Sequence, residues 1–547
     1  MQANPFISLT LIAVLSCVAL QPSSVFATGN SQAPACPANS PDWLSPKGRT
    51  FVFISDLHMG LGKLGDQWNP LEDFRWSNAL AKFLDRISNE HHDQVTLVIA
   101  GDLLELWQHP SVPCAYDQNH PCSVQQMETI TSMVVAAHQN DLQVLGNFAN
   151  RGENHLSIIP GNHDSALMLP NVWNRVSLAI GGKNDRVDLA AKSGVWATCD
   201  KKILSEHGHQ IGADLNNYAQ WPIVTTDQGA FMYTPWGEWF VQTLFNKTEE
   251  QYPLIDNIIP QSNGLSYYVG ERGWIGSASD MAQVIVSNIF DTSFAQKGMV
   301  LGLANQSHNT WNTSRARGLG YKLFADGLPS DSYLHDRLRD LKDSHFDQLR
   351  TALDQRAKDH GLLPEEQVRD LCDLLAIRKA ESPTADLASC ANPNLHYGIQ
   401  ALSFKGDDSL IEARIANLMN SVPAQEVQIY IFGHTHQLDS GKVLHPQGKD
   451  VSFLNTGAFQ RLVDETTFDG LIDAHEKRDG RRMSRGEAMH GIPLSELPPC
   501  YSFVTVTYDG MTPKAQLHNW KMNQDDTGGG VPVAADDASC AHLLKER

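Results

Sequence analysis

Five short polar clusters recur along this chain in a fixed order, and each closes a run of aliphatic and β-branched residues. Asp56-Leu57-His58 follows Thr50 to Ile54, and Gly101-Asp102 follows Val95 to Ala100. Gly161-Asn162-His163-Asp164 follows Leu156 to Pro160, His207-Gly208-His209 follows Lys202 to Leu204, and Gly433-His434-Thr435-His436 follows Val427 to Phe432. Such runs read as buried strands. In an open α/β sheet the carboxyl ends of the strands gather ligands, so clusters far apart in sequence converge on one crevice. Between them, a helix is expected from about Glu72 to Glu90, with Trp76, Leu80, Phe83, Leu84 and Ile87 on one stripe. A second is expected from Val124 to Asn140, with Met127, Ile130, Val134 and Ala137 inward. The alternation predicts a mainly parallel sheet clothed by helices.

Between His209 and Val427 this rhythm breaks. An aromatic-rich part (Tyr218, Trp221, Phe231, Tyr233, Trp236, Trp239, Phe240, Tyr267, Tyr268) precedes a helical part, about 332–358, 365–379 and 410–420. Because His434 and His436 come afterwards, the segment reads as an insertion in one core. The expected organisation is a signal segment over 1–27, a linker over 28–48, core over 49–212, an insertion or cap over 213–425, core over 426–512 and a tail over 513–547. Strands are expected at Val451 to Leu454 and Tyr501 to Tyr508, and an extended tail from about Asp525, pinned by Cys540.

No charged side chain precedes Asp42, and Phe6 to Leu20 has the length of a signal-peptide apolar region but is short for a membrane span. Cleavage near Ala27 would leave eight of nine cysteines, an even number that suits disulfides in a secreted or periplasmic protein. Cys114–Cys122 and Cys372–Cys390 are the sequence-local pairings. Net charge is −20, which disfavours a polyanionic partner such as nucleic acid but not a small phosphorylated substrate, because bound cations would dominate the local field. No stable membrane insertion is expected. The sequons at Asn246, Asn305 and Asn312 carry little information in a chain of 547 residues.

Asp, His and Asn suit Mn²⁺, Fe²⁺ or Zn²⁺ better than thiophilic metals. Asp56 and His58, two apart at a strand end, point the same way. Asp102 is the natural bridge, since one carboxylate can serve two ions ~3.5–4 Å apart. Asn162 offers an amide oxygen, His434 and His436 can serve one ion each, and the remaining contact falls to His207 or His209. Singly, each motif is an ordinary hydrogen-bonded loop; it is their set and order that point to metal. His91, His92, His120 and His138 read as surface or capping histidines.

As a set, these motifs resemble the calcineurin-like metallophosphoesterase superfamily, whose pattern is D-x-H, G-D, G-N-H-D/E, H and G-H-x-H. The resemblance covers roughly 49–212 and 426–512, and Asn455-Thr456-Gly457 is similar to the family's Asn-x-Gly strand end. It implies a four-layer α-β-β-α sandwich, here with a large mixed, partly helical insertion. It also implies two divalent ions, one held by Asp56, His58, Asp102 and His436, the other by Asp102, Asn162, His207 and His434. His163 would be the catalytic histidine, oriented by Asp164. His209, Asp214 and Asn216 are candidates for substrate binding. The implied reaction is hydrolysis of a phosphate ester by a metal-bound hydroxide.

Residues 55–60 and 101–107 are locally similar to the UDP-diacylglucosamine hydrolase branch. That branch carries Arg where this chain has His163, so a lipid A precursor is not the expected substrate. Purple acid phosphatases place a Tyr ligand where this chain has Glu105, which argues against a tyrosinate-bound ferric site. Two alternatives stay open, namely preference for phosphodiesters over monoesters and a non-catalytic binding protein on the same scaffold.

Overall fold

The computed structural model describes residues 36–37, 39–109, 122–183, 185–190, 194–211, 408–421 and 427–544, with shorter pieces between 223 and 271. The principal strands are β1 (Thr50–Ile54), β2 (Val95–Ala100), β3 (His155–Ile159), β4 (Val187–Leu189), β5 (Val195–Ala197), β6 (Ile203–Glu206), β7 (Ile429–Phe432), β8 (Leu438–Leu444), β9 (Val451–Thr456), β10 (Cys500–Asp509), β11 (Thr512–Lys521) and β12 (Val531–Ala534). One sheet has the order β12-β11-β10-β1-β2-β3-β4, the other β8-β9-β7-β6-β5. Helices α1 (Ser77–Glu90), α2 (Val124–Ala137), α3 (Gln139–Ala149) and α4 (Pro170–Ile180) belong to the first half, and α5 (Asp408–Ser421), α6 (Glu465–Asp479) and α7 (Arg485–Gly491) to the second.

The period-two alternation of the strands builds the layers. In β1, Val52 and Ile54 join Leu80, Phe83, Leu84 and Ile87 of α1 in one core cluster. Phe51 and Phe53 point the other way, to a cluster with Trp196, Ile203, Ile429, Ile431 and Leu454 of the second sheet. The opposite face of that sheet, Leu204, Tyr430, Phe432 and Phe453, packs on Ile411, Ile415 and Met419 of α5. The outcome is the α-β-β-α sandwich. Ile203 and Ile429 are register partners in parallel strands, so the chain returns to the second sheet beside the strand it left.

The sheets are mixed, not mainly parallel. β1 to β4 run parallel, whereas β10, β11 and β12 add antiparallel strands beside β1. The reversal is the Asp509-Gly510 turn, where Gly510 takes φ 61°, a left-handed conformation open to Gly at little cost. The expected extended tail is β12, and Cys540 pins it through a disulfide to Cys500. A second bridge joins Cys36 to Cys199. Cys122 is also disulfide-bonded, while Cys114, Cys372 and Cys390 lie outside the described residues. The signal segment, Asn305, Asn312, His120 and the helical stretches 332–358 and 365–379 lie outside them as well. The Asn246 side chain donates to the Trp107 carbonyl at 3.1 Å.

Two helix expectations are corrected. The first helix begins at Ser77, because Glu72 instead accepts from the amides of Gly60, Gly62 and Phe74 and holds the chain in a turn. The stretch from Val124 breaks at His138, which ends α2 and starts α3, and Ala137 is exposed. His138 is no surface residue: it is 2% exposed, with Nδ1 2.9 Å from Asp141 and Nε2 3.2 Å from Glu72. Burial opposes its charge, but these two carboxylates outweigh burial and push its pKa up to about 9.

A folded pKa above the unfolded value near ~6.5 means that the native state holds this proton more tightly. The stabilisation is therefore complete below about pH 6.5 and is lost as pH rises through about 9. Urea unfolding between these limits is expected to show a loss of at most about 3 kcal/mol, since each tenfold gain in proton affinity on folding is worth ~1.4 kcal/mol. The loss should be flattened in His138→Gln. An equal slope in the variant would remove His138 as its source.

Candidate metal centre

Beyond the strand ends the motif loops continue to pair. Asp56 N donates to the Gly101 carbonyl at 3.1 Å, and Leu57 N and His58 N to that of Asp102 at 2.9 and 3.0 Å. Gly433 N donates to the His207 carbonyl at 2.9 Å. The Asn455 amide ties down the Gly433–His436 loop by donating to Gly433 O at 3.2 Å and Thr435 Oγ1 at 2.7 Å. Ser55 Oγ then links Asp56 Oδ2 to Thr456 Oγ1 and Gly457 O. Gly161 is confined to glycine because a Cβ there would collide with the Asp102 carboxylate.

Asp56, His58, Asp102, His434 and His436 all have left-handed φ, between 50° and 72°. That region costs an L-residue roughly 1–2 kcal/mol, though Asp and His tolerate it better than most. Five such residues in one crevice mark backbone strain held in place by the surrounding fold, as at functional sites.

The donors converge as two groups, linked by a third made of His58, Asp102 and His163. Asp56, His58 and His436 offer ligand atoms within 4.8 Å of one another, and so do Asp102, His207 and His434. Asp56 Oδ1 is fully buried with no hydrogen-bond partner, yet His436 Nε2, His58 Nε2 and His207 Nε2 lie 3.4, 3.9 and 4.0 Å away. An orphaned carboxylate oxygen facing three imidazole nitrogens is a strong sign of a cation ligand. His58 Nε2 and His436 Nε2 also face each other at 3.3 Å.

His207 donates from Nδ1 to the Ala100 carbonyl at 2.8 Å, which aims Nε2 at Asp102 Oδ2 and Asn162 Oδ1, both at 3.0 Å. A backbone partner of this kind sets the tautomer of metal-binding histidines. Of the two histidines left open by the sequence, His207 is thus the one grouped with Asp102. The His209 ring centroid lies 5.4 Å from that of His207 and 6.3 Å from that of His434. Asp214 and Asn216 lie outside the described residues.

Charges in the cluster are strongly linked. Burial works against ionised Asp56 and Asp102, but imidazoles override it: His436, His58 and His207 for Asp56, and His207, His163 and His58 for Asp102, so both carboxyls fall below the usual range. His207, opposed by burial but paired with Asp102 and Asp56, is pushed up to about 9. Burial and the His207 charge push His434 down to about 3. A pair of divalent cations would replace the protons that the carboxylates favour on His207 and His58, so the residues present fit the metals that the motif set implies.

The expected role of Asp164 is corrected. Its carboxylate is occupied by backbone amides, from Gly161 at 2.6 Å, Leu103 at 2.8 Å and Leu104 at 3.3 Å, and it braces the two motif loops. Glu105 is the carboxylate at His163. Its Oε2 lies 2.5 Å from His163 Nδ1 and 2.9 Å from His58 Nδ1. Burial would raise the Glu105 pKa, but His163 and His58 bring it down to about 2. Trp107 stacks on His163 with centroids 3.9 Å apart. The His163 side chain is 18% exposed, against 5% and 0% for His58 and His207. It nevertheless offers a ring nitrogen within 4.8 Å of ligand atoms of His58 and Asp102.

Residues 49–277 match the family model for calcineurin-like phosphoesterases. The chain therefore carries a calcineurin-like phosphoesterase domain and is a metal-dependent phosphoric ester hydrolase. No curated protein and no solved structure matches it.

Proposed function

We propose that this chain is an exported, two-metal phosphoesterase acting on a small phosphate ester. The observation that carries the reading is the orphaned Asp56 Oδ1, facing the imidazoles of His58, His207 and His436 beside the Asp102 carboxylate. Asp56, His58, Asp102 and His436 would hold one divalent ion, of the Mn²⁺, Fe²⁺ or Zn²⁺ type, and Asp102, Asn162, His207 and His434 the other. When bound, such ions supply the positive charge that activates water and neutralises phosphoryl oxygens. Glu105 Oε2, 2.5 Å from His163 Nδ1, would orient the ring so that Nε2 is the nitrogen offered to a departing ester oxygen, where it would act as the acid.

Residues 213–425 would form the cap that selects the organic group. Tyr267 and Tyr268 from this segment are buried in the core cluster, with Tyr267 stacked on Phe468 at 6.0 Å. Export is supported by the apolar Phe6–Leu20 segment and by the bridges Cys36–Cys199 and Cys500–Cys540, which suit an oxidising compartment. Among the described residues, no helix is long and apolar enough to cross a membrane.

Rates on 4-nitrophenyl phosphate and bis(4-nitrophenyl) phosphate test the reading and decide between monoester and diester preference. Turnover of at least one ester, abolished by chelation and restored by Mn²⁺, is expected. Two bound ions with neither ester cleaved would favour a binding protein on this scaffold.

A further inference from the structure

Beside the dinuclear site stands a second, all-oxygen cluster that the motifs do not account for. Asp73, in the turn before α1, meets Glu249 and Asp256 from the segment after Asn246, with carboxylate oxygens within 4.8 Å of one another. The three residues are 4%, 0% and 8% exposed. Their neighbour Arg75 is within electrostatic reach of all three but makes no salt bridge with them: its guanidinium donates to the carbonyls of Glu72 and Asn69 and lies over the Trp68 ring.

A group of buried acids alone would prove little, since such carboxyls can simply take up protons. An independent observation comes from Gln108, which is 3% exposed. Its Nε2 donates to Glu249 Oε2 at 2.6 Å, bringing the amide to the cluster, while its Oε1 is buried without a hydrogen-bond partner. Glu249 Oε1 and Asp256 Oδ1 are also buried without partners. Three buried oxygens without partners, on Gln108, Glu249 and Asp256, call for a donor or a cation.

We propose that Asp73, Glu249, Asp256 and the Gln108 amide oxygen form a third cation site, separate from the dinuclear centre and selective for calcium. Imidazole is absent from the set, which disfavours Zn²⁺ and Fe²⁺ and leaves the hard, oxygen-seeking cations. Three carboxylates and an amide can give six or seven oxygens, the number and flexible geometry calcium takes, whereas magnesium keeps several waters that a buried cluster has little room for. The site joins the turn before α1 to residues 249–256, and Asp256 lies within electrostatic reach of His58 and His436. Calcium there would hold the start of the insertion against the edge of the catalytic crevice.

The test is metal analysis and calorimetry of the full-length, Mn²⁺-loaded protein titrated with Ca²⁺. One calcium per chain is expected in addition to the two manganese ions. Glu249→Gln should weaken calcium binding at least about tenfold while leaving manganese content unchanged, the scale on which single metal-supporting groups act. Melting gives a second readout. Without added calcium the Mn²⁺-loaded variant should melt no lower than wild type, because one of three like charges is gone, and added calcium should raise the melting temperature of wild type alone. Asp73→Asn provides the same comparison should Glu249→Gln fail to fold. The site is overturned if wild type takes up no calcium, if the variant binds it equally well, or if manganese is lost along with calcium.

Discussion

Asp102→Asn is expected to lose both ions and nearly all turnover. The substitution keeps size and removes the negative charge proposed to serve both ions, with Oδ2 3.0 Å from His207 Nε2 and 3.7 Å from His58 Nε2. Oδ1 also accepts from the His163 amide at 2.9 Å, and an Asn oxygen can keep that bond. The loop should therefore survive while the cations leave. A fall in activity of ~10²–10³-fold or more is the scale of losing one preorganised charge-stabilising group. Metal content and rate measured on one sample decide it. Two tightly held ions with near-normal turnover would show that Asp102 is not the shared carboxylate.

His163→Ala should behave in the opposite way. The proposed ligand contacts all come from other side chains, so both ions should remain, whereas His207→Ala or His434→Ala should lose or loosen one. Removal of a positioned acid typically costs ~10²–10⁴-fold. The penalty should be largest for esters with strongly basic leaving groups and smallest for nitrophenolate, which departs without a proton. Glu105→Gln should show the same dependence, because its Oε2 is the partner of His163 Nδ1. A uniform loss across a leaving-group series would leave His163 a positioning role, and a lost ion would make it a ligand.

The metal-type residues were legible because strand ends announce themselves. Aliphatic runs such as Val95–Ala100 end at the polar cluster they present, and Gly101-Asp102 follows without a gap. The His163 partner was not legible, because adjacency in sequence says nothing about direction. Asp164 turns inward to backbone amides, while Glu105, three residues after Asp102, reaches both His58 and His163 only through the pairing of the loops at Met59 and Leu103.

β11 escaped notice for a different reason. Pro513, Lys514, Gln516, His518 and Asn519 blur its alternation, although Asp509-Gly510 is a turn signal. His138 does stand at the cap between α2 and α3, but its burial could not be read from the sequence, because one wall of its pocket is Glu72, far away in the chain. The bridges Cys36–Cys199 and Cys500–Cys540 span 163 and 40 residues, beyond any local pairing rule.

The most direct measurement is anomalous diffraction from Mn²⁺-loaded crystals at the manganese edge. Two peaks are expected at the strand ends, both coordinated by Asp102, one also by Asp56, His58 and His436 and the other by Asn162, His207 and His434. His163 should touch neither. A single peak, or a peak ligated by His163 in place of Asn162, would contradict the two-metal centre.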